Sequence, residues 1–312
     1  MNPDRSPKLL LLDSASLYFR AFFGVPDQRR STDEPPTNAV RGFLDMIASL
    51  LTTHRPTHLV ACWDNDWRPQ FRVDAIPTYK AHRLVDGSLT EEETPEGLVP
   101  QVPVIRDALA ALGIVRIGSD GYEADDVIGT LVHQSRGRMP VDVVTGDRDL
   151  FQLVDDAHGV RVVYTARGGV RDPDLVDEAF LTSRYAVGSG QAYADMAVLR
   201  GDTSDGLPGV AGIGEKTAAK LIERYGDLGS LREAIDSGDP ALKGAQRARL
   251  EAAAAYLDVA PAVVKVAHDA PVPDVDALLP TEVADPDLLG RLAEDYGLTN
   301  SFKRVLTALD II

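Results

Sequence analysis

Cysteine is almost missing from this 312-residue chain: Cys62 stands alone, so an internal disulfide is excluded and a reducing, cytoplasmic setting is expected. Within HLVACW that side chain reads as a small buried hydrophobe rather than a reactive thiol. No apolar run approaches the length of about 18 residues that a membrane span needs. The four leucines after Lys8 are too few for a secretory core. Internal repeats and low-complexity tracts are absent as well. Positive charge is scarce, with 32 Lys and Arg against 48 Asp and Glu, a net charge of −16. That balance speaks against a uniformly basic nucleic-acid binder. Whole-chain charge sets solubility and the long-range field, however, and its distribution decides more. No Ser/His/Asp order suggests a nucleophilic triad. His54 and His58 have helical spacing, but Pro56 between them spoils a metal pair.

What is present is a globular composition, 44% hydrophobic and 26% charged, long enough for one large or two medium domains. KLLLLD, HLVACWD, IVRI, VDVVT and VRVVYT read as short buried strands. SLYFRAFF, 38–54, 100–113 and 122–136 have helical spacing between them. Alternation of this kind predicts an α/β fold, a doubly wound and mostly parallel sheet covered on both faces. Residues 66–97 break the pattern with mixed cations, aromatics and prolines, ending in EEETPEG, and read as a mobile insertion. From about residue 186 the pattern turns helical and Ala-rich. The expected domains are therefore an α/β core over 1–185 with the 66–97 insertion, a helical subdomain over 186–290, and a C-terminal helix over 291–312 packing back on the core.

Acids sit where such a sheet binds ligands. Asp13, Asp64 and Asp147 lie at or just past the carboxyl ends of apolar strands, which is one rim of one sheet. Glu123, Asp125 and Asp126 crowd a helix start; the helix dipole explains one or two of them. Glu123 and Asp126 share a face, whereas Asp125 converges with them only where the helix is just beginning. Asp149 follows Asp147 through a turn, and Asp202 and Asp205 precede a Gly/Pro turn, where acids often only form the turn. Nine carboxylates gathered at one rim would repel one another unless cations join them. An all-oxygen donor set selects hard ions, Mg²⁺ or Mn²⁺, and two of them suit phosphodiester hydrolysis.

In LPGVAGIGEKTAAKLI, Gly209, Gly212 and Gly214 form a tight turn before a helix that opens with Lys216 and Thr217. Glu215 interrupts any P-loop, and no strand precedes the glycines, so neither nucleotide fingerprint fits. Exposed backbone N–H groups at that helix start suit the phosphates of DNA gripped without base reading. In the insertion, Arg68, Arg72, Lys80 and Arg83 with Phe71 and Tyr79 suit a single strand, although a solvated basic loop would look similar. Arg20 either reaches a phosphate or is simply exposed.

The runs DSASLYFRAF, YKAHR, YEADDVIGTL, TGDRDLFQLV and GDTSDGLPGVAGIGEKTAAKLI resemble the bacterial 5′-nuclease and flap endonuclease family, over roughly residues 8–305. The resemblance implies a PIN-like core, a DNA-threading arch and a helix–hairpin–helix that often holds a potassium ion. It places Asp13, Asp64, Glu123 and Asp125 around one divalent metal and Asp147, Asp149, Asp202 and Asp205 around a second, with Asp126 nearby. Lys80 and Arg83 would hold the scissile phosphate, Tyr79 would stack on DNA, and Arg20 would contact a phosphate; Arg72 is expected to bind DNA on the insertion's pattern of cations and aromatics alone. Gly206 departs from the pattern, since the family usually has Asn there. The implied activity is 5′ to 3′ exonuclease and flap endonuclease on branched, flapped or RNA-primed DNA. A nucleoid-associated monomer working beside polymerase and ligase is the expected setting. A PIN-like ribonuclease and a non-catalytic branched-DNA binder are the alternatives.

Overall fold

A computed structural model describes residues 6–29, 31 and 34–312. The chain begins with β1 (Leu9–Asp13), α1 (Ser14–Gly24), α2 (Asn38–His54), β2 (His58–Trp63), a short α3 (Gln70–Ala75) and α4 (Gln101–Leu112). It continues through β3 (Val115–Gly118), α5 (Ala124–Ser135), β4 (Val141–Thr145), β5 (Val160–Gly168) and β6 (Asp172–Val176). The six strands form one sheet in the order β3-β2-β1-β4-β5-β6. All neighbours are parallel except β5 and β6. The antiparallel β6 is an addition to the strands read from sequence. Its DPDLV carries too few apolar residues to signal a strand.

Period-two alternation explains why β1 is leucine throughout. Leu9 and Leu11 pack with Val60, Cys62 and Val143 into one core beneath α5. Leu10 and Leu12 pack with Leu59, Ala61 and Val144 into the other core, beneath α2 and α4. Cys62 is buried and free, as expected. Chain order reverses at β1, which has β2 on one side and β4 on the other. A crevice at the carboxyl ends of β1 and β4 follows from that reversal.

Helices follow: α6 (Glu178–Tyr185), α7 (Gly190–Arg200), α8 (Glu215–Tyr225), α9 (Leu228–Ser237), α10 (Gly244–Ala252), α11 (Ala254–Val259) and α12 (Pro261–Val264). Two more, α13 (Pro286–Asp295) and α14 (Thr299–Ala308), pack on α4 and α2. Before them, Ala277 and Leu279 exchange backbone hydrogen bonds with Leu59 and Thr57 beside β2. Among the described residues no helix is long and apolar enough to cross a membrane.

The 66–97 insertion, read from the sequence as mobile, is tied to the body of the fold by side-chain contacts. Its two legs meet at an antiparallel bridge between Leu84 and Glu92, and Trp67 donates to the Thr90 carbonyl at 2.9 Å. It lacks periodicity because its anchors are single side chains buried against distant elements rather than a continuous apolar stripe.

Candidate active site

Asp13 closes β1 and caps α1, accepting from the Ser16 amide at 3.1 Å and from the Thr145 hydroxyl at 2.7 Å. Asp64 lies just past β2 and accepts from the Ala124 amide at 2.8 Å, which ties it to the start of α5. Asp147 follows β4 and accepts from the Asp149 amide at 2.9 Å. With Glu123 and Asp125 these side chains line one open cleft of about 650 Å³ at the switch-point edge of the sheet. Tyr18, Trp63 and Trp67 form its apolar side, and Lys80 and Arg83 project from the insertion into the same cleft. Behind it, a void of about 20 Å³ is bounded by Glu123, Asp125, Asp149, Asp202 and Asp205. Three strand-end acids, two acids of one helix start and three turn acids thus meet across two adjoining compartments.

Burial without matched cations leaves several of these acids hard to ionise. Burial, reinforced by Asp64 and Asp147, pushes Asp13 up to about 7 against the Thr145 and Ser16 hydrogen bonds. Burial and Glu123 push Asp64 up to about 6. Asp149 rises to about 8 through burial and the charges of Asp147, Asp205 and Asp202. Asp125 moves well above the usual range for the same reasons, with Asp13 and Asp147 nearest in effect. Asp202 goes the other way. Burial raises it, but the Ser204 hydroxyl and amide, Arg148 and Arg200 together hold it below the ordinary value.

Other acids are met by the protein's own cations. Lys80 Nζ lies 2.5 Å from Glu123 Oε2, and Glu123 raises the lysine's pKa although burial alone would lower it. Arg83 Nη2 lies 2.7 Å from Asp205 Oδ1 and 2.9 Å from the Ser204 carbonyl. Among the described residues no three His, Cys, Asp or Glu side chains already form a group set to hold a metal ion. The donor chemistry nevertheless suits divalent cations. Every donor is a carboxylate oxygen, and the raised pKa values express burial first and mutual repulsion after it, both of which a dication in the cleft would offset.

Three sequence expectations are corrected. Asp126 is not part of the cleft: it is fully buried and accepts two hydrogen bonds from Arg72, each 2.7 Å, plus one from the Ala267 amide at 2.8 Å. A reciprocal capping box with Glu123, together with Arg72, turns Asp126 inward, while Glu123 stays in the cleft and Asp125 is the one that feels the charge of Asp13. Arg72 is only 2% exposed, and its Nε donates to the Val263 carbonyl at 3.0 Å, so it does not reach DNA. Tyr79 is 3% exposed, with its hydroxyl on Glu123 at 2.7 Å, so its ring offers no stacking face to a base. Arg20 sits apart from the cleft, donating to the Ala166 carbonyl at 3.3 Å in a separate surface groove.

The helical hairpin forms between α7 and α8. Gly209 and Gly212 have φ of +62° and +70°, and Gly214 caps α8, leaving Lys216 exposed and Thr217 half-buried in the first turn. A Cβ on Gly209 would come within 2.5 Å of the Arg200 carbonyl oxygen, so this close approach admits only glycine. Arg200 itself escaped the sequence reading. It stands 3.5 Å from Glu215 and 3.8 Å from Asp202, connecting the hairpin to the acids. Its position immediately before GD was the available signal. Thr145, which orients Asp13 from β4, had none.

A carboxylate-lined cleft at the switch point of a parallel sheet, flanked by lysine and arginine and by a glycine-turned pair of helices, defines a phosphodiester-handling nuclease. Known proteins agree. Residues 8–185 match the family model of the 5′-3′ exonuclease N-terminal resolvase-like domain, and 189–286 that of the 5′-3′ exonuclease C-terminal SAM fold. The chain is 56% identical over 303 residues to a 5′-3′ exonuclease of Streptomyces coelicolor, covering 96% of this chain and 99% of that protein. A 5′-3′ exonuclease of Mycobacterium tuberculosis is 48% identical, with 99% of each chain covered. DNA polymerase I of Mycobacterium bovis is 38% identical over 93% of this chain but only 30% of its own length. Similar folds occur in T5 5′-exonuclease with zinc bound, at TM-score 0.64, 19% identity and 97% and 99% coverage. The catalytic core of Rad2 in complex with DNA substrate gives TM-score 0.59, 18% identity and 98% and 93% coverage. The chain belongs to the 5′-3′ exonuclease family.

Proposed function

We propose that this protein is a structure-specific nuclease that hydrolyses DNA and RNA-primed DNA where a duplex meets a 5′ single strand, leaving 5′-phosphate and 3′-hydroxyl ends. The observation that carries this reading is the convergence of Asp13, Asp64, Glu123, Asp125 and Asp147 on one cleft whose wall presents Lys80 and Arg83. Two divalent ions, Mg²⁺ or Mn²⁺, held by Asp13, Asp64, Glu123 and Asp125 and by Asp147, Asp149, Asp202 and Asp205, would acidify the attacking water and neutralise the leaving oxygen. The metal bound by T5 5′-exonuclease and the DNA held by the Rad2 core support both partners.

Lys80 and Arg83, released from Glu123 and Asp205, present their donors to non-bridging oxygens of the scissile phosphate and stabilise its developing charge. Tyr18 and Trp63 give the cleft an apolar wall that limits water. The backbone amides around Gly212 and Gly214, with Lys216 and Thr217, take duplex phosphates at the start of α8. A potassium ion at this hairpin would add to that grip. The acids come from both 1–185 and 186–290, so the core and the helical subdomain build the site together, with 291–312 bracing the core. Primer and flap removal beside a polymerase and a ligase, as a monomer at the nucleoid, follows from that substrate.

The test is a labelled 5′-flap substrate incubated with Mg²⁺, with Mn²⁺ and with EDTA, followed by product sizing. Metal-dependent cutting near the branch is expected. Asp147→Asn should slow it by about 10³-fold or more while leaving flap binding in EDTA intact. An intact flap in both metals would remove the nuclease reading.

A further inference from the structure

We propose that Arg200 is a positioning residue acting through Asp202: its guanidinium is a resident cation that offsets part of the negative charge around the second divalent ion, so that the ion stays exchangeable and the scissile phosphate can approach. The inference rests on the nuclease reading, from which it takes the second ion.

Arg200 ends α7, directly before Gly201 and Asp202. Its side chain is 10% exposed and borders the void of about 20 Å³ together with Asp149, Asp202 and Asp205. Nε donates to the Gly201 carbonyl at 3.2 Å, and the guanidinium carbon lies 6.0 Å from the centre of the Tyr193 ring. Nη2 stands 3.8 Å from Asp202 and Nη1 3.5 Å from Glu215. Both nitrogens are buried, and among the described residues neither makes a hydrogen bond. A buried arginine usually satisfies its whole fork of donors. Here the charge is kept without those bonds, so what it supplies is a field on the neighbouring carboxylates rather than a clamp. Arg148 faces the same acid from the solvent side, with Nη2 3.4 Å from Asp202.

Charge balance gives such a field its use. Asp147, Asp149, Asp202 and Asp205, all ionised, outweigh the charge of one dication, and an incoming phosphate meets the surplus. Arg200 and Arg148 reduce it. The buried arginine does so more strongly, because less water and salt screen it.

The experiment titrates Mn²⁺ alone into DNA-free wild type, Arg200→Met, Arg200→Lys and Arg148→Gln, with bound ion followed by EPR, and measures kcat and KM on the labelled flap. Methionine keeps a flexible apolar stem and removes the charge. Arg200→Met is expected to bind one Mn²⁺ about 10-fold more tightly. It is expected to raise KM about 5-fold and leave kcat within about 3-fold, the pattern of lost ground-state binding. Arg200→Lys, which keeps the charge, is expected to stay near wild type in all three. Arg148→Gln is expected to shift Mn²⁺ affinity the same way by less, its charge being more exposed, and keeps the test open if Arg200→Met folds poorly. A merely structural arginine predicts the opposite sign, since a disturbed site holds its ion less well. Mn²⁺ binding that is unchanged or weaker in folded Arg200→Met, or in Arg148→Gln where that protein does not fold, would overturn the inference. A wild type that cuts no flap in either metal would instead remove the nuclease reading, and the inference with it.

Discussion

Arg72 and Asp126 look, in the sequence, like a DNA contact and a metal ligand; in the fold they are partners. Their bidentate pair is almost wholly buried and joins α3 to the start of α5, while the Val263 carbonyl and the Ala267 amide bring in the segment at and after α12. Breaking one side of such a pair leaves an uncompensated buried charge. Arg72→Ala is therefore expected to destabilise the protein by about 3–5 kcal/mol, read as a lower denaturant midpoint. An Arg72→Ala protein as stable as wild type but with weakened DNA binding would return Arg72 to the surface role. Glu123 shows the opposite case at the same helix start. It keeps its place in the cleft because Lys80 and Tyr79 face it from the insertion.

At the scale of elements, the α7–α8 hairpin was legible and the insertion was not. Glycines at fixed offsets before an amphipathic helix announce a tight turn, because only glycine accepts the positive φ and close backbone approach found at Gly209. Lys216 stands exposed at the start of α8. Lys216→Ala is expected to weaken duplex binding across sequences alike and to reduce the slope of log affinity against log salt by about 1. An unchanged slope in a salt titration would take the lysine off the phosphate backbone. The insertion hid its contacts because Arg72, Tyr79 and Arg83 are fixed one at a time, by carbonyls and carboxylates far away in sequence. The acidic stretch near its end has a local use: Glu92 lies close enough to Arg83 and Lys80 for their charges to oppose the effect of its burial.

For the whole molecule, the acid cleft couples stability to pH and metal. Asp13, Asp64 and Asp149 have folded pKa values of about 7, 6 and 8, above the ordinary 3.8. Between pH 4 and 8 the folded state therefore holds protons that the unfolded chain has released, and stability falls as pH rises through that window. Asp142, held low by His54, Arg161 and Lys8 against its burial, contributes stability that is lost only in stronger acid. The melting temperature in EDTA is expected to drop from pH 5 to pH 8, and Mg²⁺ should raise it most at pH 8, where the acids are most ionised. A flat profile in EDTA, or equal stabilisation by Mg²⁺ at both ends, would mean that the carboxylates do not repel one another as described. The same cleft gives the net charge of −16 a partial explanation: a share of the negative charge is gathered where cations belong.

The sequence by itself determined the period of each strand and most helices, the placement of three acids at strand ends, and the glycine turn, because these follow from local spacing and backbone sterics. Helix 38–54 and strand 141–145 fall at the residues their patterns predict. Only the tertiary structure decided which of two adjacent acids, Asp125 or Asp126, faces the cleft. It alone showed that Arg72 and Tyr79 turn inward and that β6 closes the sheet edge. Each of those outcomes depends on a partner more than forty residues away, or on an edge strand without an apolar pattern. No window of sequence contains the atoms that settle it.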